Sequence, residues 1–104
     1  MTSSIKIRSK RANNKTELRL LISHPMEFGA TQDPQTNVMI PAQFIHTLTI
    51  HLNGQIVISC KLGMSISKDP FFAFMLNTGQ AGDKVVVSWE DNLGNTDSSE
   101  HVLA

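Results

Sequence analysis

The sequence has little cysteine and no excess of charge, and each shortage excludes a class of protein. Cys60 is the single cysteine, so no disulfide can form within the chain. Nine basic residues balance nine acidic ones, which leaves no net charge to attract nucleic acid or an anionic membrane. No apolar run approaches the roughly 20 residues of a membrane-spanning helix, and the polar N-terminus has no signal-peptide core. Taken alone, these features predict a cytoplasmic protein, or one exported by a route that this chain does not encode.

The sequence also lacks an assembled catalytic or metal-binding motif. The four histidines do not have the spacing of metal ligands, and the acidic turn 91–97 lacks the ligand pattern of a calcium loop. No phosphate-binding loop, dinucleotide glycine motif or nucleophile elbow is present. We therefore predict no catalytic residue, no metal and no cofactor.

Length and alternation predict a single all-β domain over residues 1–104. A chain of 104 residues buries roughly 60–70% of its unfolded surface, which is enough for one core. Seven short segments alternate apolar with polar residues, with turn residues between them and no helical period. This pattern predicts an immunoglobulin-like antiparallel β-sandwich of about seven strands. The cysteine pair of true immunoglobulin domains is absent, so the prediction concerns architecture alone.

The hairpin around Asn53-Gly54 is expected to form the centre of the sandwich, and two turns compete at its tip. A two-residue turn would pair Leu52 with Gln55 but would scatter apolar residues over both faces. A three-residue loop would pair His51 with Gln55 and collect the apolar residues on one face. We favour the three-residue loop. It places Phe44, Leu48, Ile50, Ile56, Ile58, Cys60 and Leu62 on the inner face and leaves Ile45 and Val57 on the outer face.

The first strand carries a local excess of basic residues. Lys6, Arg8 and Lys10 alternate with apolar or small residues from Ile5 onward. We interpret them as the solvent face of an edge strand, where charge prevents edge-to-edge aggregation. The alternative is a docking patch for an anion or an acidic partner.

The segment from His24 to Gln43 has neither a helical nor a strand period. Loops of this length in compact domains usually bind something or are disordered. This one contains too many apolar residues for a free linker, so we expect it to pack on its own sheet or on another chain. His24 opens the loop, either as a functional residue or as a structural, hydrogen-bonded one.

Several large apolar residues have no place in a single-sheet pattern, and the strand 71–77 is apolar on both faces. Exposed apolar patches mark interfaces, although packing under the long loop would also account for these residues. We predict a partner-binding surface formed by His24, Pro25, Met26, Phe28, Met39, Ile45, Val57, Phe71 and Met75. Cys60 lies mid-strand on the apolar face, so we interpret it as an inert core thiol.

One set of motifs resembles a known family. The most specific string is 22–27, ISHPME, followed by Gly29; the other matching segments are Ile40-Pro41-Ala42, Phe44-Ile45, Asn53-Gly54, Ser67-Lys68, Pro70-Phe71, Gly82-Asp83-Lys84, Trp89 and Asp91. From about Ile5 to about Ser98 the chain is similar to the SoxZ family.

The resemblance implies a non-catalytic subunit of the SoxYZ carrier of thiosulfate oxidation. In that family SoxY carries sulfur intermediates on the cysteine of a mobile arm, which visits SoxAX, SoxB and SoxCD. This chain ends without a Gly-Gly-Cys arm, so it is not expected to be the carrier itself. SoxZ-like chains reach the periplasm folded, bound to a partner with a twin-arginine signal. A homodimer is the expected alternative when SoxY is absent.

Two other functions remain open from the residues. One is a sulfur acceptor or redox protein that uses Cys60 with His24 or His46. The other is a generic immunoglobulin-like interaction domain unrelated to sulfur.

Overall fold

The computed structural model describes residues 4–12, 14–27, 29, 32–62, 66 and 68–103, and seven β-strands lie within them. The strands are β1 (Ile5–Ala12), β2 (Lys15–Ile22), β3 (Ile45–Leu52), β4 (Gln55–Lys61), β5 (Phe71–Leu76), β6 (Lys84–Asp91) and β7 (Thr96–Val102). Every segment predicted from alternation is a strand. Within these ranges no helix is long and apolar enough to cross a membrane.

The strands form two antiparallel sheets. One has three strands in the order β1-β2-β5, and the other has four in the order β4-β3-β6-β7. In immunoglobulin constant domains the fourth strand joins the sheet of the first two, whereas here β4 stays with β3. The prediction of an immunoglobulin-like sandwich is confirmed, with this division of its strands.

The core lies between the sheets and is supplied by alternate residues of each strand. β2 contributes Leu18, Leu20 and Ile22, all with no exposed surface. The four-stranded sheet contributes a larger set, namely Leu48, Ile50, Leu52, Val85, Val87 and Trp89. Successive side chains of a strand point to opposite faces of the sheet. The apolar residues at every second position of each strand therefore form one buried layer.

The β3–β4 hairpin differs from the prediction. Leu52 pairs with Gln55, and the backbone of Asn53 and Gly54 has φ of 51° and 86°. Positive φ at both central residues defines a two-residue type I′ turn, for which Asn-Gly is the preferred sequence. The prediction of a three-residue loop was therefore wrong.

A β-bulge further along β4 restores the apolar face that the two-residue turn would have scattered. His51 pairs with Ile56 but Ile50 pairs with Ile58, so Val57 is an extra residue in β4. The extra residue reverses the inward and outward positions on either side of it. From Ile58 onward the apolar residues of β4 face the core, as predicted, and only the tip follows the other register.

Two residues lie on the face opposite to the predicted one because of such irregularities. Ile56 was expected inside, but it precedes the bulge and is 63% exposed. Ile45 was expected outside, but it is fully buried. The pairing of β3 with β6 shifts between Ile45 and Thr47, and this shift turns Ile45 toward the core.

One side of the sandwich is joined by polar contacts between β1 and β7, and we refer to it as the β1–β7 side. The Ser4 backbone N–H and hydroxyl both donate to Asp97 Oδ2, at 2.8 and 2.6 Å. Ser9 Oγ lies 2.8 Å from His101 Nε2, and the Trp89 indole N–H donates to Ser4 Oγ at 3.0 Å. These bonds fix the edges of the two sheets to each other.

The opposite side, formed by the edge strands β4 and β5, is apolar and incompletely covered. Its inward-facing residues Ile58, Cys60, Phe72 and Phe74 pack against the core but are only half-buried. Phe72 and Phe74 stack on each other, with ring centroids 6.1 Å apart. We refer to this as the β4–β5 side.

The burial of Trp89 gives a direct test of the core. Trp89 is 8% exposed, so Trp89→Ala should destabilise the fold by roughly 3–5 kcal/mol, the usual cost of emptying a buried aromatic site. Trp89→Phe keeps most of the packing and should cost less, mainly the bond to Ser4. Urea titration measures both.

The exposed Leu93 of the neighbouring turn is the control, because Leu93→Ala should change stability by less than about 0.5 kcal/mol. A loss below about 1 kcal/mol for Trp89→Ala would show that Trp89 is not part of the core.

Candidate functional site

His24, the first residue of the long loop, is held between the two sheets. Its backbone N–H donates to Asp69 Oδ1 and its carbonyl accepts the Asp69 N–H, both at 3.0 Å. Asp69 lies two residues before the start of β5, in the three-stranded sheet. The His24 side chain instead reaches the four-stranded sheet, where it contacts Asp91 and packs in a T-shaped arrangement with the Trp89 ring, at a centroid distance of 5.0 Å.

The hydrogen bonds of the imidazole determine its tautomer. Nδ1 accepts the backbone N–H of Met26 at 3.0 Å, so Nδ1 carries no proton. The proton is therefore on Nε2, which donates to Asp91 Oδ2 at 3.1 Å. Because both nitrogens are occupied and the side chain is 3% exposed, this ring has no free nitrogen to act as a base.

Asp91 is a buried carboxylate whose hydrogen bonds come from several directions. Oδ1 accepts the backbone N–H groups of Leu93 and Asn95, and Oδ2 accepts the Asn95 side-chain amide as well as His24. Burial, the largest single influence, would raise the pKa of this carboxyl. The hydrogen bonds from His24, Asn95 and Leu93 together outweigh burial and hold the pKa of Asp91 below its ordinary 3.8. The residue is therefore an ionised structural anchor near neutral pH.

The next residues of the motif attach the loop to β3. Met26 has a positive φ of 48°, and its sulfur accepts the backbone N–H of Ile45 at 3.4 Å. Glu27 and Gln43 exchange two backbone hydrogen bonds of 2.7 Å. The start and the end of the loop are therefore tied to each other, which agrees with the expectation that the loop packs on its own sheet.

The structure places the nine predicted partner-binding residues in different environments. His24, Met26 and Ile45 are buried in the core. Phe28 lies outside the described residues. The remaining five are exposed: Pro25, Met39, Val57, Phe71 and Met75.

The exposed members do not form one flat patch. Met39 is in the loop, close to the exposed Val38. Phe71 and Met75 lie on the outer face of the three-stranded sheet, whereas Val57 lies on β4 of the other sheet. A partner that contacts both Val57 and Met75 has to cover the β4–β5 side between them.

The predicted surface did not include Leu21, an exposed apolar residue on the outer face of the three-stranded sheet. Leu21 is 41% exposed and pairs with Phe71 across the outer face of the three-stranded sheet. Its signal was the run Leu20-Leu21-Ile22, in which an apolar residue occupies an outward position of an alternating strand.

Cys60 faces the core as predicted, but it is half-buried because β4 is an edge strand. The histidines named with it are not beside it: His46 contacts Glu90 on the outer face, at 3.4 Å, and His24 is bonded to Asp91. Among the described residues no group of three histidine, cysteine or acidic side chains could hold a metal ion.

The Asp91 carboxylate predicts a stability difference that depends on pH. Asp91→Asn leaves a buried donor without its acceptor, so we expect a loss of roughly 1–3 kcal/mol near neutral pH. Because the folded state lowers the pKa of Asp91, the unfolded chain binds this proton more readily. The stabilisation is complete above pH 3.8 and is lost as the pH falls through the folded pKa.

Urea titrations at neutral pH and near pH 3 should therefore show a smaller gap between wild type and Asp91→Asn in acid. Asp33→Asn is the control, since the Asp33 carboxylate accepts the Gln35 backbone N–H in the exposed loop. It should cost less than about 1 kcal/mol in both conditions. An equal gap for Asp91→Asn at both pH values would contradict the role given to the carboxylate.

Comparison with curated proteins finds no match. A family model described as sulphur oxidation protein SoxZ matches residues 5–102. This span includes the seven strands, the long loop and the His24–Asp91 pair, so the resemblance seen around the ISHPME string is confirmed. The chain belongs to the SoxZ family, and its role is in sulfur oxidation.

Proposed function

We propose that the chain is the non-catalytic subunit of a SoxYZ carrier, and that it binds a SoxY subunit whose cysteine arm carries the sulfur intermediates. Family membership implies partnership with SoxY. The observation that supports a binding role most directly is the apolar, half-covered β4–β5 side. Catalysis by this chain has no comparable support, because His24 is hydrogen-bonded at both nitrogens and Cys60 faces the core.

SoxY covers the β4–β5 side in this proposal. Phe72, Phe74, Ile58 and Cys60 are apolar core residues that the fold leaves half-buried. Exposed Met75 and Val57 flank them on the two outer faces, with 53% and 37% of their surfaces accessible. Interface cores are enriched in phenylalanine and methionine, and covering such side chains stabilises association.

In this arrangement the chain supplies a rigid support and leaves the arm of SoxY free to visit SoxAX, SoxB and SoxCD. The carrier works in the periplasm, which the chain reaches bound to a partner that bears the export signal. When SoxY is missing, the same apolar side pairs two copies of this chain.

Co-expression with the SoxY-like subunit tests the pairing. We expect the two chains to elute together at micromolar concentration. Met75→Lys and Val57→Lys place a charge in the proposed interface, and each should weaken the complex by about tenfold or more. Since both residues are exposed, neither change should alter the stability of the isolated chain by much more than about 0.5 kcal/mol.

Leu93→Lys is the matched control, because Leu93 is also apolar and exposed but lies in the β6–β7 turn. It should leave the complex intact. Separate elution of the wild-type chains would contradict the pairing. If both lysine variants bind with normal affinity, the pairing with SoxY stands, but the β4–β5 side is rejected as its location.

Intact-mass measurement distinguishes a support from a sulfur acceptor. After the complex is incubated with thiosulfate and the oxidising cytochrome SoxAX, we expect added mass on the SoxY subunit and none on this chain. A half-buried thiol that faces the core is a poor nucleophile. Added mass on this chain that disappears in Cys60→Ala would show that Cys60 accepts sulfur.

A further inference from the structure

The outer face of the three-stranded sheet carries a basic and apolar groove. The strand register aligns two neighbouring rows across β1, β2 and β5. These rows are Lys6–Leu21–Phe71 and Arg8–Arg19–Ala73. Lys6, Arg8, Arg19, Leu21 and Phe71 line a groove of about 340 Å³, which we call the basic groove.

Charge is concentrated in these two rows. They contain three cations and no carboxylate, which gives a formal charge of +3 in a chain whose net charge is zero. The carboxylate of Glu17, in the next row, forms an ion pair with Arg19. Local fields of this kind attract an oppositely charged partner even when the whole molecule is neutral.

The pairing of Arg8 with Arg19 does not serve the stability of the sheet. The two residues are directly opposite each other on β1 and β2, and like charges in that position are destabilising. Protection of the β1 edge against aggregation accounts for Lys6 and Arg8, but not for Arg19, because β2 is the central strand. The ion pair with Glu17 offsets part of the repulsion between Arg8 and Arg19, and an anionic ligand in the groove would offset more of it.

Apolar surface adjoins the three cations. Leu21 and Phe71 are 41% and 61% exposed, and they are directly opposite each other on β2 and β5. Arginine binds carboxylates through two parallel hydrogen bonds, while an exposed phenylalanine and leucine offer contact area for an apolar side chain. The groove therefore combines recognition of negative charge with recognition of an apolar group.

We propose that the basic groove binds an acidic segment of a partner protein, in which carboxylates flank an apolar or aromatic side chain. The carboxylates bond to Arg8, Arg19 and Lys6, and the apolar side chain covers Leu21 and Phe71. The anionic partner also relieves the repulsion between Arg8 and Arg19. This site goes beyond the proposed pairing with SoxY, since it lies on the outer face rather than on the β4–β5 side.

Fluorescence anisotropy with a labelled octapeptide that alternates glutamate and phenylalanine tests the groove. The peptide is titrated with the full chain alone and with the chain in its purified complex with the SoxY-like subunit. Replacing each glutamate by glutamine, or each phenylalanine by alanine, should weaken binding by about tenfold or more. Binding should also weaken several-fold between about 50 and 300 mM salt, since the contacts are at the surface.

Arg19→Thr separates function from stability. Threonine suits a central strand, and the change removes both the like-charge pair and the exposed ion pair with Glu17, so the melting temperature should change little. Peptide binding should fall about tenfold or more. Lys84→Thr is the matched control: it removes one exposed cation from the other sheet, where Lys84 pairs with Glu100 at 3.5 Å, and should leave binding unchanged.

Four results would overturn the proposal. These are equal binding of the glutamine peptide, loss of binding in Lys84→Thr to the same degree as in Arg19→Thr, and a lower melting temperature with normal binding in Arg19→Thr. The fourth is binding to phosphatidylserine vesicles that displaces the peptide, which would identify a membrane as the occupant.

If the chain alone binds the peptide but the SoxY complex does not, the groove is part of the subunit interface. Its separate role is then rejected, while the pairing with SoxY stands.

Discussion

The hydrogen bonds of His24 hold the two sheets together at the point where the chain crosses between them. The backbone of His24 is bound to Asp69, next to β5, and its side chain is bound to Asp91, at the end of β6. These two strands belong to different sheets. A buried carboxylate is costly unless it is fully hydrogen-bonded, and Asp91 meets that condition with donors from His24, Leu93 and Asn95. The position of the long loop, and with it the buried Met26 and Ile45, depends on this pair.

The number of strands and the faces of most of them could be predicted from the sequence, because both depend on local alternation. β2 and β6 are central strands with an unbroken period of two, so alternation alone identifies their buried apolar residues. The prediction for the hairpin tip was wrong for a physical reason. The preference of Asn53-Gly54 for a two-residue turn and the segregation of apolar residues gave opposite registers, and we assumed an unbroken pleat. The bulge at Val57 satisfies both, and a bulge has no signal in a single sequence when the extra residue is itself apolar.

The candidate surface was predictable only in part, for a related reason. Surplus apolar residues can be recognised in the sequence, but whether one of them is exposed depends on long-range packing. Ile45 and Met26 were surplus by pattern, and both are buried because the loop folds back onto β3. Leu21 and Arg19 lie at regular outward positions of β2, and their meaning depends on which strands lie beside them. Only the register brings Arg19 opposite Arg8 and Leu21 opposite Phe71.

Strand β5 connects the two proposed surfaces. It is an edge strand, yet it is apolar on both faces: Phe72 and Phe74 are half-buried on the inner face, and Phe71 and Met75 are exposed on the outer face. Soluble proteins usually protect such edges with charge, a bulge or a cover, and a strand that is apolar on both faces is typical of the interior of a sheet. β4 has a bulge of this kind at Val57, whereas the pairing of β5 with β2 has no bulge. In our proposal the partner chain covers β5. The composition of β5 therefore supports a subunit that is complete only when a partner covers its β4–β5 side. In our proposal the basic residues of β1 and β2 then remain at the outer face for a second, salt-sensitive contact.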